Sequence, residues 1–279
     1  MSSQSAWPSD WLVPDWPAPA GVRAVFTTRA GGVSKPPFDS MNLGSHVGDE
    51  PEAVAANRAR LEQAIGAQAV FLNQVHGCQA QVLQLDTPDD LAADACLTTQ
   101  RQLACTIMVA DCLPVLLTTR DGRVVAAAHA GWRGLGGGAD EGGVAGQGVL
   151  ESVYASFSAL AQAGRAYSAI ETIAWIGPCI GPGAFEVGEE VRSAFASAQP
   201  EAERFFVPAG KGKYLADLPA LARLRLRALG ITQVYGNDGS AAWCTVSQSS
   251  RFFSHRRDAG GFGNGFGTTG RMAACIWLD

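Results

Sequence analysis

Residues 109–117 read VADCLPVLL, and residues 127–134 read AAHAGWRG. Each stretch joins a strongly apolar run to a turn, which places Cys112 and His129 where a buried strand meets irregular backbone. Residues 69–77, AVFLNQVHG, have the same form and place His76 just after another apolar run. Binding and catalytic residues concentrate on loops that a rigid scaffold holds in place. The three stretches therefore predict a site built from two imidazoles and one thiol.

The length and charge of the chain limit its fold and its partners. The 279 residues allow one or two domains and are enough to bury a sizeable core. The formal net charge is −5, with 21 basic residues against 26 acidic ones. Because there is no basic excess, we expect neither a nucleic acid nor an anionic membrane as the main partner.

Apolar segments and cysteines indicate where the protein resides. No window of about 18 residues is continuously apolar, and the N-terminus lacks the basic and apolar regions of a secretory signal. We therefore expect a soluble cytoplasmic protein. The seven cysteines include no CxxC pair, which suits reduced thiols that are mostly buried in the core.

Strand and helix patterns alternate along the chain. Residues 1–20 are rich in Pro and Trp and predict an irregular lead-in, whereas residues 21–279 predict a single domain. Strands are predicted on both sides of His76 between residues 70 and 85, and at 24–28, 96–99, 103–107, 113–119, 123–128, 170–176 and 272–277. Helices are predicted from residue 49 to 66, from 147 onward, and at 188–198 and 217–229. This order of elements indicates an α+β fold.

Two glycine-rich stretches, residues 134–148 and 260–267, are predicted to be insertions between these elements. The first contains GLGGGA, a formal match to the dinucleotide-binding fingerprint. We reject that match because the fingerprint needs a helix to begin within it, whereas residues 140–143 continue as a predicted loop. Arg225 falls on the apolar side of the helix predicted at 217–229. Its guanidinium either snorkels to solvent or reaches an anion, and we favour snorkelling.

The chemistry of the three reactive residues has more than one interpretation. His76, Cys112 and His129 are too far apart in sequence for a zinc finger, so they converge only through the fold. Two histidines and one cysteine with an open fourth position form a catalytic zinc arrangement, and the same ligands suit a trigonal copper site. Four histidines in the whole chain are too few for an additional multinuclear copper centre. Alternatively, Cys112 is a thiolate nucleophile with an imidazole as its base.

Polar residues beside these stretches complete the set of candidates. Asp111 adjoins Cys112 and could orient an imidazole or carry a proton, and Arg29 or Arg133 could hold an anion. The candidate catalytic residues are His76, Cys112, His129 and Asp111, and the candidate substrate-binding residues are Arg29, Asn42, Gln74 and Arg133.

Seven motifs together resemble the YfiH/YlmD family: residues 26–34 (FTTRAGGVS), 42–44 (NLG), 73–77 (NQVHG), 110–114 (ADCLP), 129–134 (HAGWRG), 176–181 (IGPCIG) and 269–272 (TGRM). Members of that family are variously called laccase-domain proteins, polyphenol oxidases, purine nucleoside phosphorylases and peptidoglycan editing factors. Two features depart from the family pattern. The glycine-rich stretches look longer, and His255 stands where the family more often has an aromatic residue.

The resemblance implies a four-layer α/β/β/α sandwich with mixed sheets. It also implies a zinc ion bound by His76, Cys112 and His129, with copper as the alternative metal. The implied reaction is phosphorolysis of adenosine, inosine and methylthioadenosine to the base and the pentose 1-phosphate, with adenosine deamination alongside. The expected partners are then a purine nucleoside and phosphate, while the oligomeric state stays open. Three alternatives are an amidase that edits a peptidoglycan precursor, a copper-dependent polyphenol oxidase, and a metal-stabilised interaction protein without catalysis.

Overall fold

The computed structural model describes residues 7–137, 146–164, 170–259 and 267–279. Its helices are α1 (Pro51–Ile65), α2 (Trp132–Gly136), α3 (Val149–Gln162), α4 (Glu189–Ala196), α5 (Leu218–Ala228) and α6 (His255–Asp258). Its strands are β1 (Val22–Phe26), β2 (Gln68–Phe71), β3 (Ala80–Val82), β4 (Ala95–Thr98), β5 (Leu103–Val109), β6 (Leu113–Thr119), β7 (Val125–Ala130), β8 (Thr172–Ile176), β9 (Glu186–Val187), β10 (Phe206–Gly210), β11 (Lys213–Ala216), β12 (Gln233–Gly236) and β13 (Met272–Leu278). In the part of the chain that the structure describes, no helix has the length and apolar character needed to span a membrane.

Two mixed sheets form the centre of the molecule. The first has four strands in the order β1-β13-β5-β2, with β2 parallel to β5 and the other pairs antiparallel. The second has six strands in the order β12-β8-β6-β7-β4-β3, with an antiparallel centre and a parallel pair at each edge. A small antiparallel sheet, β10-β11-β9, lies apart from both.

Apolar clusters between the elements define four layers. Leu61 of α1 packs with Trp277 on the outer face of the four-stranded sheet, and Ile107 and Trp175 belong to the cluster between the two sheets. Val153 of α3 belongs to the cluster that covers the other face of the six-stranded sheet together with α4 and α5. Burial of each such side chain contributes about 1.5–3 kcal/mol. The layers confirm the predicted α/β/β/α sandwich.

Local signals place the helix ends. Pro51 occupies the first turn of α1, and Gly66 ends that helix with a φ of +68° that favours glycine. The Asp217 side chain accepts a hydrogen bond from the backbone N–H of Ala220 and so caps the N-terminus of α5. Part of the predicted lead-in packs on the sandwich, because Leu12 forms a β-bridge with Phe26.

Residues 132–136 correct the interpretation of the first glycine-rich stretch. They form α2 directly after β7, whereas the sequence predicted a loop from residue 134 onward. A Cβ on Gly134 would lie 2.7 Å from the carbonyl oxygen of Gly77, so glycine permits this close approach. The loop predicted at 140–143 and most of the insertion at 260–267 lie outside the described residues. The small sheet and β12 were not predicted.

Arg225 of α5 forms a buried ion pair with Glu151 of α3. Its Nε donates to Glu151 Oε1 at 2.9 Å, and its Nη2 donates to the carbonyl oxygen of Gly146 at 2.6 Å. Glu151 Oε2 accepts the N–H of Gly148 at 2.8 Å, at the start of α3. Arg225 is only 5% exposed, so the favoured expectation that it snorkels to solvent is wrong, and it instead reaches an anionic side chain. The pair ties the N-terminus of α3 to α5.

We expect Arg225→Met to lower the free energy of unfolding by about 3 kcal/mol, because removing one partner leaves the Glu151 carboxylate without its counter-charge. Arg227→Met is the matched control, since Arg227 is exposed on the same helix. It should change the free energy by less than about 0.5 kcal/mol. Urea unfolding of both variants measures the difference. Equal stabilities would contradict a stabilising role for the ion pair.

Candidate metal centre and cavity

The structure brings His76, Cys112 and His129 together at one end of the sandwich. Their candidate ligand atoms all lie within 4.8 Å of one another, and Cys112 Sγ is 3.8 Å from His76 Nε2. His76 follows β2, Cys112 lies between β5 and β6, and His129 lies in β7. Among the described residues, this is the one group of three such side chains that could hold a metal ion.

Two residues beside the centre adopt left-handed backbone conformations. His76 has a φ of +63° and Asp111 has a φ of +95°. Residues other than glycine rarely occupy this region, and they do so only where surrounding contacts hold them. Both therefore mark tight turns that the fold actively maintains at the ends of β2 and β5.

The buried carboxylate of Asp94 maintains the first of these turns. Oδ1 accepts the backbone N–H of His76 at 2.9 Å, and Oδ2 accepts the N–H groups of Val75 at 3.1 Å and Gly77 at 2.7 Å. Oδ1 also lies 2.7 Å from His129 Nδ1. With Nδ1 engaged, Nε2 of His129 is left for a metal, and a carboxylate bonded to the other ring nitrogen of a ligating histidine is common in zinc sites.

Asp94 was missed by the sequence analysis, which considered Asp111 for the role of orienting an imidazole. The only signal for Asp94 is one acidic residue in the apolar run LAADACL, residues 91–97. The carboxylate of Asp111 instead accepts from the Thr245 hydroxyl at 2.5 Å and from the backbone N–H of Arg256 at 2.6 Å.

Cys112 and His129 favour opposite charges when no metal is bound. Burial alone raises the pKa of Cys112, but the neighbouring His129 and His76 rings outweigh burial and lower that pKa to about 6. Burial alone lowers the pKa of His129, but Cys112 and the Asp94 carboxylate raise it to about 9. The metal-free protein therefore holds a thiolate beside an imidazolium near pH 7. A thiolate is the form in which cysteine binds metals.

The residues fit a metal ion. Zinc bonds of about 2.0–2.3 Å in a tetrahedron separate neighbouring ligand atoms by roughly 3.3–3.8 Å, close to the 3.8 Å between Cys112 and His76. A Cβ on Gly131 would lie 3.1 Å from Cys112 Sγ and 3.1 Å from His76 Cδ2. Glycine at this position therefore leaves the ligands the room that they occupy.

The candidate centre opens into a cavity of about 270 Å³. All four histidines of the chain line this cavity, together with Arg256 and Arg271. Apolar side chains supply much of the remaining wall, namely Met108, Val109, Trp132, Ile180, Phe185 and Leu218. The volume is near the lower end of the usual range for small-molecule sites, about 300–1,000 Å³. The cavity therefore suits a small ligand with apolar and charged parts.

Gln74 and Arg133 lie at or near the cavity with their polar groups already engaged. Gln74 lines the cavity, but its Nε2 donates to the Met108 carbonyl oxygen at 2.8 Å and its Oε1 accepts the Met108 N–H at 2.7 Å. The Arg133 guanidinium stacks over the Trp132 ring, with Cζ 4.3 Å from the ring centroid. In this structure, Gln74 therefore extends the edge of β5 and Arg133 supports an aromatic wall.

Arg29 and Asn42 are not brought to the cavity. Arg29 donates to the carbonyl oxygens of Asp39 at 3.1 Å and Ser249 at 3.0 Å. Asn42 is fully buried, and its Oδ1 accepts the backbone N–H of Arg271 at 2.9 Å. The arginines that line the cavity are thus Arg256 and Arg271, which the sequence analysis did not select.

Comparisons with known proteins show the family to which the chain belongs. Residues 23–279 match the family described as multi-copper polyphenol oxidoreductase laccase. Escherichia coli YfiH, named a purine nucleoside phosphorylase, is 44% identical over 97% of this chain and 99% of its own. The chain belongs to the YfiH family. Another member, a Pseudomonas aeruginosa protein also named a purine nucleoside phosphorylase, is 47% identical over 96% of this chain and 98% of its own.

A solved structure confirms the fold of this YfiH family member. The crystal structure of a Neisseria meningitidis protein superposes with a TM-score of 0.81 at 44% sequence identity. The superposition covers 97% of this chain and 100% of the Neisseria meningitidis chain. The resemblance inferred from the seven sequence motifs is therefore confirmed at the level of family and fold.

We expect Asp94→Asn to weaken zinc binding by about 10–100-fold, as is typical when a carboxylate that orients a ligating histidine is lost. The amide offers one acceptor oxygen where the carboxylate offers two. Asp89→Asn is the matched control, because Asp89 accepts only a backbone N–H, from Phe71 at 2.9 Å, and an arginine, and does not contact an imidazole. Competition with a coloured zinc chelator measures both affinities. Equal zinc affinity in the two variants would contradict this role for Asp94.

A second prediction concerns how the reactivity of the Cys112 thiol depends on pH in metal-stripped protein. We expect its alkylation by iodoacetamide to rise through a midpoint near pH 6, because only the thiolate reacts. His129→Ala should move the midpoint upward, towards the ordinary thiol value of about 8.5. Mass spectrometry of the Cys112 peptide separates this thiol from the other six. A midpoint near 8.5 before any substitution would refute the pairing of Cys112 with the imidazoles.

Proposed function

We propose that this protein is a zinc-dependent purine nucleoside phosphorylase. It cleaves adenosine, inosine and methylthioadenosine to the base and the pentose 1-phosphate, and it also deaminates adenosine. The observation that carries the proposal is the convergence of His76, Cys112 and His129 on a small cavity that also has apolar and cationic walls. The names of the Escherichia coli and Pseudomonas aeruginosa relatives support it.

Three side chains would hold the metal, and a fourth would orient one of them. His76 and His129 supply imidazole nitrogens, Cys112 supplies a thiolate, and Asp94 fixes the tautomer of His129. When bound there, zinc supplies a Lewis acid and lowers the pKa of a coordinated water. His76 is exposed, which keeps this side of the centre open to substrate.

The apolar wall of the cavity would bind the purine. Phe185 and Trp132 offer aromatic surfaces for a heterocyclic base, and Ile180 and Leu218 offer aliphatic ones. Arg133 stacks on the Trp132 ring and so restrains it. Apolar contacts around the base exclude water from the glycosidic bond, which favours transfer to phosphate over hydrolysis.

Asp111 would act as a positioning residue. Its two oxygens accept hydrogen bonds from Thr245 and Arg256, and its carbonyl oxygen accepts the N–H of Ile180 at 2.9 Å. These contacts hold three separate segments against the Cys112 turn.

Zinc is preferred to copper because phosphorolysis and deamination transfer no electrons between the reactants. The family description names copper and phenol oxidation, and two histidines with one cysteine also suit copper. In the described part of the chain, one three-residue cluster is present, so the structure offers no additional multinuclear centre there.

Adenosine turnover tests the proposal. We expect zinc-loaded protein to produce adenine and ribose 1-phosphate only when phosphate is present, with inosine appearing as the deamination product. Cys112→Ala should lose zinc and both activities, because it removes one of three ligands. Cys78→Ala is the matched control, since Cys78 is a partly exposed cysteine outside the cavity lining, and it should retain both. Chromatography of the reaction mixtures gives the products.

Other outcomes would favour other functions. Unchanged adenosine in every mixture would contradict the proposal and move the assignment to an amidase that acts on a peptidoglycan precursor. Oxidation of phenols by copper-loaded protein, with the intense colour of a copper–thiolate bond, would favour the oxidase. Full activity of metal-free Cys112→Ala would exclude the metal from the reaction.

A further inference from the structure

Arg271 lines the cavity, and only part of its guanidinium is engaged in hydrogen bonds. It lies immediately before β13 and lines the same cavity as the candidate metal ligands. Its Nη1 donates to the carbonyl oxygens of Thr269 at 2.9 Å and Gly270 at 3.3 Å. Among the described residues, no group accepts a hydrogen bond from its Nε or Nη2. Two donors of one planar group therefore stay available to a ligand.

The charge of Arg271 is only partly compensated. Burial lowers its pKa, while Cys112 and Asp111 act in the opposite direction. No carboxylate in the described ranges lies within ion-pair distance of the guanidinium, although eight arginine–carboxylate pairs occur elsewhere in those ranges. A partly desolvated cation without an ion-pair partner is costly unless an anion occupies the site.

The NLG motif at residues 42–44 holds Arg271 in place. Asn42 Oδ1 accepts the Arg271 N–H at 2.9 Å, and the Leu43 N–H donates to the Arg271 carbonyl oxygen at 3.1 Å. A Cβ on Gly44 would lie 2.7 Å from Arg271 Cγ, so the aliphatic part of Arg271 packs directly on the Gly44 backbone. The motif therefore fixes the position of Arg271 at the cavity wall.

A second donor lies on the same segment. His46 follows Gly44 by two residues and lines the cavity. Burial lowers the pKa of His46, and the cations Arg271 and Arg58 lower it further. A neutral imidazole still donates one N–H to an anion.

The other arginines near the cavity differ from Arg271 in their contacts or their location. Arg256 Nη1 donates to the carbonyl oxygens of Ala184 at 3.4 Å and Glu186 at 3.1 Å. Arg133 stacks on Trp132, and Arg29 bonds to two loop carbonyl oxygens. Arg256 also lines the cavity, but its side chain is exposed to solvent, whereas Arg271 is partly buried. Arg271 is therefore the cavity arginine whose charge most needs an anion nearby.

We propose that Arg271 binds the phosphate co-substrate through Nε and Nη2, with His46 as a second donor and with Asn42 and Gly44 as positioning residues. This inference rests on the proposed phosphorolysis. Guanidinium and phosphate match in geometry, because two parallel N–H groups meet two oxygens. Phosphate held there shares one cavity with the metal centre and with the apolar surface that binds the purine.

Steady-state kinetics with phosphate as the varied substrate test this assignment. We expect Arg271→Met to raise the KM for phosphate by about 10- to 100-fold, as befits loss of hydrogen bonds to a charged group. The KM for the nucleoside and the zinc content should stay unchanged, and deamination, which consumes no phosphate, should persist. Arg271→Lys should restore part of the phosphate affinity. Arg123→Met removes an exposed charge away from the cavity and serves as the control.

Gly44→Ala tests the positioning role. The added Cβ would displace Arg271 without removing its charge, so we expect the KM for phosphate to rise while the KM for the nucleoside stays the same. A purely structural role for Gly44 would instead lower the amount of active enzyme and leave both KM values unchanged, and that result would contradict the positioning role.

Binding of inorganic phosphate in the absence of nucleoside separates this inference from the proposed function. Calorimetry of the zinc-loaded protein should show phosphate binding that Arg271→Met abolishes. If nucleosides are not cleaved but this binding difference is found, the anion site stands and the proposed phosphorolysis falls. If nucleosides are cleaved and Arg271→Met has an unchanged phosphate KM, the anion assignment alone falls. A rise in phosphate KM in Arg29→Met but not in Arg271→Met would transfer the site to Arg29.

Discussion

One buried carboxylate holds the candidate metal centre together. Asp94 is completely removed from solvent and interacts with three consecutive backbone N–H groups and one imidazole. Burying a carboxylate is costly unless its hydrogen-bonding capacity is met, and four donors meet it here. The same contacts stabilise the left-handed backbone of His76 and select the nitrogen that His129 presents. The hydrogen bonds that compensate for the burial of Asp94 thus fix the geometry of His76 and His129, although Asp94 is not a ligand itself.

The centre lies where the chain passes from one sheet to the other. β2 and β5 belong to the four-stranded sheet, whereas β3 and β6 belong to the six-stranded sheet. His76 lies on the first crossing and Cys112 on the second, while His129 extends from β7 beside them. Most side chains in the central strands pack in the apolar cores between layers, although His129 near the end of β7 reaches the centre. The crossings have free side chains on a rigid support, so they can supply ligands from both sheets.

The sequence was informative where a residue's role is local. Apolar runs that end in turns placed His76, Cys112 and His129 at strand ends, and the family motifs predicted the layers. Contacts between distant segments were not predictable in this way. Asp94 resembles any acid before a strand, and Arg271 faces the cavity only because residues 42–44 pack against it. Arg29 and Arg133 lie within motifs, but Arg29 bonds to carbonyl oxygens of two other loops and Arg133 stacks on the adjacent Trp132. The strands β9 to β11 are short and largely exposed, so they lack the apolar alternation that reveals a strand.

Two glycines show how backbone rather than side chains sets the spacing of the cavity. A Cβ on Gly131 would meet Cys112 Sγ at 3.1 Å, and one on Gly44 would meet Arg271 Cγ at 2.7 Å. In both places a functional side chain rests on main chain that neighbouring hydrogen bonds hold still. A side chain packed on other side chains can change rotamer with them, but one packed on fixed main chain has fewer alternatives. The candidate metal ligands and the proposed anion donor are therefore ordered before any ligand arrives, which reduces the entropy lost on binding.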